Sequence, residues 1–289
     1  MFAESITPRL RVGLHSNAAP RLGIHTFGEK FRSYVMTERI REASPRTYAR
    51  IAGLLYLIVI VAGIFAEILV RGRLVVSGDA AATAHNILAH EQLFRWGFAA
   101  EVIAGLCVMP LVLLLYELFK VVNRRVALLA VFFSLVGGAI EGAALLGHFA
   151  PLILLKRGHD LGVSPELLQA QTYMALELQG IGYAVALAFF GGTMLARGYL
   201  IFRSSFLPRI IGVLLAIEGV CYLANSFADF LAPEIAATVL AFLMVSGLAE
   251  VFLCLWLLVM GVNDQRWKEQ ASSTAEWRSQ RALEGRQGD

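Results

Sequence analysis

Between Ile51 and Met260 six apolar runs alternate with polar links, at about 51–70, 94–119, 126–155, 173–195, 210–231 and 236–260. Each holds about 20 residues or more, enough for a helix to cross a hydrocarbon layer ~30 Å thick. None shows the strict polar–apolar alternation of a barrel strand, and in lipid only helices and closed barrels satisfy their own backbone. The pattern therefore predicts an all-α polytopic membrane protein, a bundle of six transmembrane helices. Punctuation supports the boundaries. Ser44-Pro45 and Ser164-Pro165 each set a capping side chain before proline at the first helical position. Asp79 is placed to cap a short helix whose Ala84, Ile87 and Leu88 share one face, suited to the membrane surface. The short link Lys120–Arg125 makes the second and third runs antiparallel neighbours, and Pro233 turns the chain between the fifth and sixth.

Composition sharpens this picture. The 289 residues are 57% hydrophobic and only 16% charged, with a mean hydropathy of +0.65. A soluble domain of that size cannot bury so much apolar surface. The net charge of +3 is small and implies no nucleic-acid partner; the bilayer is the partner expected. Its distribution is one-sided. With the N-terminus in the cytoplasm, 20 of the 25 Lys and Arg fall on cytoplasmic segments, leaving Arg71, Arg73, Arg95, Lys156 and Arg157 outside. The positive-inside rule then puts both termini in the cytoplasm, on a multi-pass protein of the cell membrane. Residues 1–45 are Arg-rich and acid-poor and read as a disordered basic segment, with Met36 an alternative start that would leave 1–35 upstream. The first 35 residues hold no apolar signal-peptide core. Residues 46–262 form the transmembrane domain and 263–289 a charged cytoplasmic tail.

Candidate chemistry lies in the acids. Every run carries one glutamate: Glu67, Glu101, Glu141, Glu177, Glu218 and Glu250. A charge at the centre of a span costs roughly 2.5–3.5 kcal/mol on insertion scales. At 1.5 Å per residue, Glu67, Glu101 and Glu177 lie within about 10 Å of the outer face, Glu141 at ~15 Å, and Glu218 and Glu250 at ~20 and ~24 Å. The shallow three can meet headgroups or Arg71, Arg73 and Arg95. The deep three have no Lys or Arg assigned to the membrane beside them. Two readings remain open for these: each carries its proton and bonds a neighbouring helix, or together they line a polar path for a proton, cation or amine.

Ser134, Gly138 and Gly142 recur at four-residue spacing, as do Ala143 and Gly147, which lets another helix approach and press on Glu141. His148 lies two turns beyond Glu141 on nearly the same face, and reads either as its partner or as a plain interface histidine. His85 and His90 are poorly spaced to share a metal, and His15, His25 and His159 fall in loop or disordered contexts. Glu117 and Lys120 are placed to pair. Cys107, Cys221 and Cys254 are odd in number, lack CxxC spacing and sit in apolar runs, so neither a disulfide framework nor a zinc site is expected. No metalloprotease, hydrolase, nucleotide-binding or paired-histidine haem motif appears. The reading leans away from an enzyme and expects no metal or cofactor. Arg50-Ile51-Ala52-Gly53 resembles Arg209-Ile210-Ile211-Gly212, with a looser third copy at Arg125-Val126-Ala127-Leu128. Either a repeated hairpin or the arginine that positive-inside selection places there accounts for this.

The string FFGGTMLARGYLIFRSSFLPRIIGVLLAIEGVCYLANSFADFLAP, with AEVFLCLWLLVMGV and SPRTYARIAGLLYLIVIVAGIFAE, resembles a bacterial membrane family called "domain of unknown function 4386". The similarity covers about 44–262. It implies a six-span inner-membrane protein without an assigned activity, in which Arg203, Ser204, Pro208, Arg209, Gly212, Tyr222 and Glu250 stand at characteristic positions. Physically, Arg203 and Arg209 suit anionic headgroups and Pro208 presets the start of the fifth helix. Three functions stay in view. The leading one is a non-enzymatic membrane protein whose carboxylate-lined interior (Glu141, Glu218, Glu250, with His148) binds or moves a small cation, amine or proton. The second is a membrane enzyme or redox subunit built on Glu141 and His148. The third is a structural or regulatory membrane partner without transport. The ligand and the oligomeric state are unspecified.

Overall fold

The computed structural model describes residues 44–232, 234–235 and 247–274. The basic N-terminal segment with Met36, His15 and His25, the turn residue Pro233, residues 236–246 of the last expected span, the end of the tail and the side chain of His159 lie outside the described residues. Every described element is helical: α1 (Pro45–Leu74), α2 (Ala80–Ala89), α3 (Glu91–Arg157), α4 (Pro165–Arg203), α5 (Arg209–Leu231), α6 (Leu248–Met260) and α7 (Asp264–Thr274).

The expected caps form. Ser44 and Ser164 accept from the amides of Thr47 and Leu167, and Asp79 accepts from Ala82 N at 2.8 Å. These bonds satisfy amides that a helix start leaves without partners. The short helix α2 differs from its expected placement. Ala84 and Ile87 are buried against Val70, Leu74 and Phe94, while Leu88 is exposed, so α2 packs on the bundle.

The 67-residue α3 contains a reversal at Asn123, whose φ of −154° and ψ of 105° are non-helical. The Asn123 side chain accepts from the amides of Arg125 (3.1 Å) and Val126 (3.2 Å), capping the second arm. The arms run antiparallel. Pairs equally far before and after the reversal meet, Glu91 with Lys156 at 2.8 Å and Phe98 with Phe149 at 4.9 Å between ring centroids. The link between the second and third runs therefore shrinks to a single residue. Four helices are long and apolar enough to cross a membrane, or five if the bent pair α6–α7 counts as one span. Leu106, Phe132, Leu146 and Val220 face outward on these helices and present apolar surface to lipid.

Two apolar clusters hold the bundle, one at the Asn123 end around Phe119, Ile201, Leu253 and Leu257, the other at the opposite end around Val70, Phe94, Leu152 and Leu168. At the Asn123 end Gly261, with φ of +68°, ends α6 and α7 bends away by 105°. There α7 ties helix ends together: Trp267 Nε1 donates to Leu118 O at 2.9 Å, Thr274 to Val121 O at 2.9 Å, and Asp264 accepts from Arg46 N at 2.8 Å.

Glycines set the crossings. A Cβ on Gly219 would stand 2.8 Å from Gly191 O, one on Gly198 2.7 Å from Gly212 O, and one on Gly53 2.6 Å from Leu258 N. The first two pairs bring α4 and α5 into backbone contact on either side of Glu218. Gly53 and Gly212, alike in the two arginine-led strings, thus both sit at crossings. The Ser134–Gly138–Gly142 spacing does not behave as expected, because a Cβ on Gly142 would meet nothing and Gly138 only Met109 at 3.9 Å. The close contacts belong to Gly137, against Phe190, and to Gly147 of the Ala143–Gly147 pair, against Ala175 O. Gly219→Ala is expected to lower stability by about 1–3 kcal/mol through overpacking against backbone. Gly63→Ala, where a Cβ meets no atom within 4 Å, is expected to cost nothing. Thermal unfolding in micelles checks this, and equal midpoints for the two variants contradict it.

Candidate functional site

Five of the six glutamates fall into two polar clusters, and Glu177 stands exposed outside both. The first lies midway along the bundle toward the Asn123 end. Glu218 on α5 is fully buried, and among the described residues neither of its oxygens has a hydrogen-bond partner of good geometry. Tyr222, one turn along, offers its hydroxyl in looser geometry. Glu250 on α6 accepts from Tyr56 OH of α1 at 2.7 Å. The two carboxylates lie within electrostatic reach of each other, and both feel Arg197.

Arg197 corrects the expectation that no cation serves the deep acids. The fourth run was expected to leave the membrane near Leu195. Helix α4 instead continues to Arg203, and Arg197 is only 7% exposed. Its guanidinium donates to Ser134 Oγ at 3.3 Å, and Ser134 Oγ stands 3.3 Å from Thr193 Oγ1. From the Gly191–Gly219 and Gly198–Gly212 contacts, Arg197 lies about 7 Å nearer the Asn123 end than Glu218. A narrow crevice between Tyr116, Phe119, Ala127 and Leu200 reaches it. The sequence did hold the signal: Arg197 sits between small residues, Ala196 and Gly198, inside an unbroken helical pattern.

The second cluster occupies the opposite half. His148 Nδ1 on the second arm of α3 lies 2.8 Å from Glu101 Oε2 on the first arm. Gln179 Nε2 of α4 stands 3.5 Å from both Glu101 Oε1 and His148 Nδ1. Arg71 of α1 donates to Gln179 Oε1 at 3.0 Å and to Leu176 O at 3.3 Å, and lies 4.0 Å from Glu67. The imidazole is 4% exposed, tilted against the Phe94 ring with centroids 4.5 Å apart. It is neither an interface histidine nor the partner of Glu141. Glu141 has Glu101 and Glu67 as its electrostatic neighbours, so it belongs to this half and not with Glu218 and Glu250. Glu177 is exposed on α4.

The remaining marked residues are structural in their contacts. Ser204 is buried and caps the end of α4 by donating to Ile201 O at 2.8 Å. Arg203 offers its carbonyl to Gln270 at 3.3 Å, Pro208 precedes the first turn of α5, and the Arg209 guanidinium lies 5.9 Å over the Phe202 ring. Glu117 and Lys120 pair as expected. Cys254 Sγ donates to Gly53 O at 3.3 Å, bracing α1 on α6.

A polar clamp closes the end beyond His148. Glu91, at the first turn of α3, lies 2.8 Å from both Lys156 and Arg95. Hydrogen bonds from Lys156 and then Arg95 hold its carboxyl below the usual range. A lowered acid contributes stability above its unfolded value of about 4.3 and loses it as pH falls through the folded value. Glu91→Gln is therefore expected to lower the thermal midpoint slightly at neutral pH, the difference from wild type vanishing below the carboxylate range. A difference that persists in acid contradicts this reading.

A family model described as "Domain of unknown function (DUF4386)" matches residues 51–261. No curated protein and no solved structure matches the chain.

Proposed function

The chain belongs to the DUF4386 family, a domain of unknown function, and we propose that it binds or moves one small positive charge at the buried Glu218–Glu250 pair. The carrying observation is Glu218, wholly enclosed, with neither oxygen in a good hydrogen bond. A buried charge without a partner costs several kcal/mol, so such a carboxylate calls for a compensating group. Two carboxylates and the Arg197 guanidinium sum to one negative charge. One proton, one monovalent cation or one small protonated amine restores neutrality. Tyr56 holds Glu250 in place, and Tyr222 is the hydroxyl beside Glu218.

The same reading makes the protein a six-crossing bundle of a bacterial inner membrane. The reversal at Asn123 divides α3 into two crossings, and the apolar run that ends in α6 supplies the last. The excess of basic residues supports a cytoplasmic Asn123 end. There Arg203 and Arg209, both exposed, lie at the level of anionic headgroups. An enzyme built on Glu141 and His148 is disfavoured, since the histidine is engaged by Glu101.

The full chain in proteoliposomes with an internal pH dye tests this. With methylammonium, sodium or potassium supplied in turn against an imposed pH gradient, wild type is expected to collapse the gradient with at least one of them, or with none if the charge moved is the proton itself. Glu218→Gln and Glu250→Gln are expected to lose about tenfold or more of that flux while retaining their thermal midpoints. Wild-type rates in both variants overturn the proposal.

A further inference from the structure

The loop Arg203–Pro208 stands out in the sequence, and its contacts make it the seat of α7. Gln270 Oε1 accepts from Ser205 N at 3.0 Å and from Ser205 Oγ at 3.1 Å, while Gln270 Nε2 donates to Arg203 O at 3.3 Å. Arg266 adds a donation to Ser205 O at 3.5 Å. With the bonds to Leu118, Val121 and Arg46, α7 holds the α4–α5 loop, the turn of α3 and the start of α1 at once. The helix it extends is α6, which carries Glu250.

This contact is built to come apart. The bonds to Arg46, Arg203 and Ser205 are exposed, so water can take over each donor and acceptor at small net cost. The apolar anchor is Trp267, which packs from outside on the cluster that includes Phe119 and Phe206. Helix α7 also carries its own cap: Asn263 Oδ1 accepts from Arg266 N at 3.0 Å and Asn263 O from Trp267 N at 2.9 Å. It therefore keeps its first turn without help from the bundle. The joint is equally defined. Gly261 N donates to Trp256 O, five residues back, which widens the last turn of α6. Gly261 then takes the left-handed φ of +68°, and a Cβ there would stand 2.8 Å from Arg46 Cγ. Val262 is buried on the α6 side and Asn263 exposed on the α7 side.

We propose that α7 is a latch on the Asn123 end of the bundle, docking and releasing as one unit about the Gly261–Asn263 joint, with the Arg203–Pro208 loop as its receptor. Docked, it fixes the end of α6 against α1, the α3 turn and the α4–α5 loop. Released, it opens the Leu118 and Val121 carbonyls to water and frees the end of α6 from those ties. The inference goes beyond charge binding and does not need it.

Hydrogen exchange of the full chain in nanodiscs, resolved at single amides, tests the latch. Two reporters lie outside α7: Arg46 N, bonded to Asp264, and Ser205 N, bonded to Gln270. Release as a unit predicts that both exchange together with the α7 amides and well ahead of the interior of α5. Trp267→Phe keeps an aromatic ring but removes the donor to Leu118 O. It is expected to speed Arg46 and Ser205 about two- to tenfold in step, although neither bonds to Trp267. Gln265→Ala, whose partner Glu269 lies within α7, is expected to leave both at wild-type rates. Unchanged rates at Arg46 and Ser205 in Trp267→Phe overturn the proposal. So does an acceleration shared by the interior of α5, which marks general loosening of the bundle. Neither result bears on the flux lost in Glu218→Gln, so the two readings fail separately.

Discussion

Charge compensation inside an apolar bundle is the constraint on which the interior of this protein depends. A carboxylate removed from water carries a penalty that hydrophobic packing cannot relieve, and it is relieved only by a proton, a cation or several hydrogen bonds. The two clusters meet that requirement differently. At Glu250 a phenol at 2.7 Å and a nearby guanidinium share the task. At Glu101 the Gln179 amide donates to Oε1 at 3.5 Å, with the His148 ring nitrogen 2.8 Å from Oε2. Glu218 is the exception, enclosed and without a good hydrogen bond among the described residues, which is why it carries the functional reading.

Helix packing delivers these groups to one another. The glycine contacts at Gly191–Gly219 and Gly198–Gly212 bring α4 and α5 close enough for Arg197 to act on Glu218. The Gly53–Leu258 contact, with Cys254 bonded to Gly53 O, holds α1 on α6 and so sets Tyr56 against Glu250. Small residues count for so much in a membrane interior because lipid offers no hydrophobic drive for helices to associate, and close packing must replace it. The strap α7 adds a second link, joining the helix that carries Glu250 to the carbonyls of Leu118 and Val121 at the turn of α3.

Local signals were legible in the sequence and non-local pairings were not. Ser44, Asp79 and Ser164 cap as their spacing implies, because a cap needs only neighbours along the chain. Asn123 followed the same rule and went unread, since the two runs beside it already explained a turn. The all-helical apolar class and the family were evident from the run pattern and the arginine-proline string. Arg197 was misplaced because the basic-residue count assigns every arginine near a span's end to water, whereas its helix runs on and buries it. His148 was matched to Glu141 by spacing along one helix, yet the reversal at Asn123 sets Glu101 opposite it. The Ser134–Gly138–Gly142 spacing likewise predicts a contact face whose close approach falls to Gly137, one position from Gly138, whereas Gly147 of the Ala143–Gly147 pair does meet a helix backbone.

The central claim is that the Glu218–Glu250–Arg197 group binds one positive charge. Infrared difference spectroscopy of the full chain in nanodiscs tests it most directly, by following the carboxylic-acid carbonyl band as pH is raised. The account predicts a band that converts to carboxylate, is absent from Glu218→Gln or Glu250→Gln, and is altered by Arg197→Gln. A spectrum in which neither substitution changes any titrating carboxyl band would contradict it.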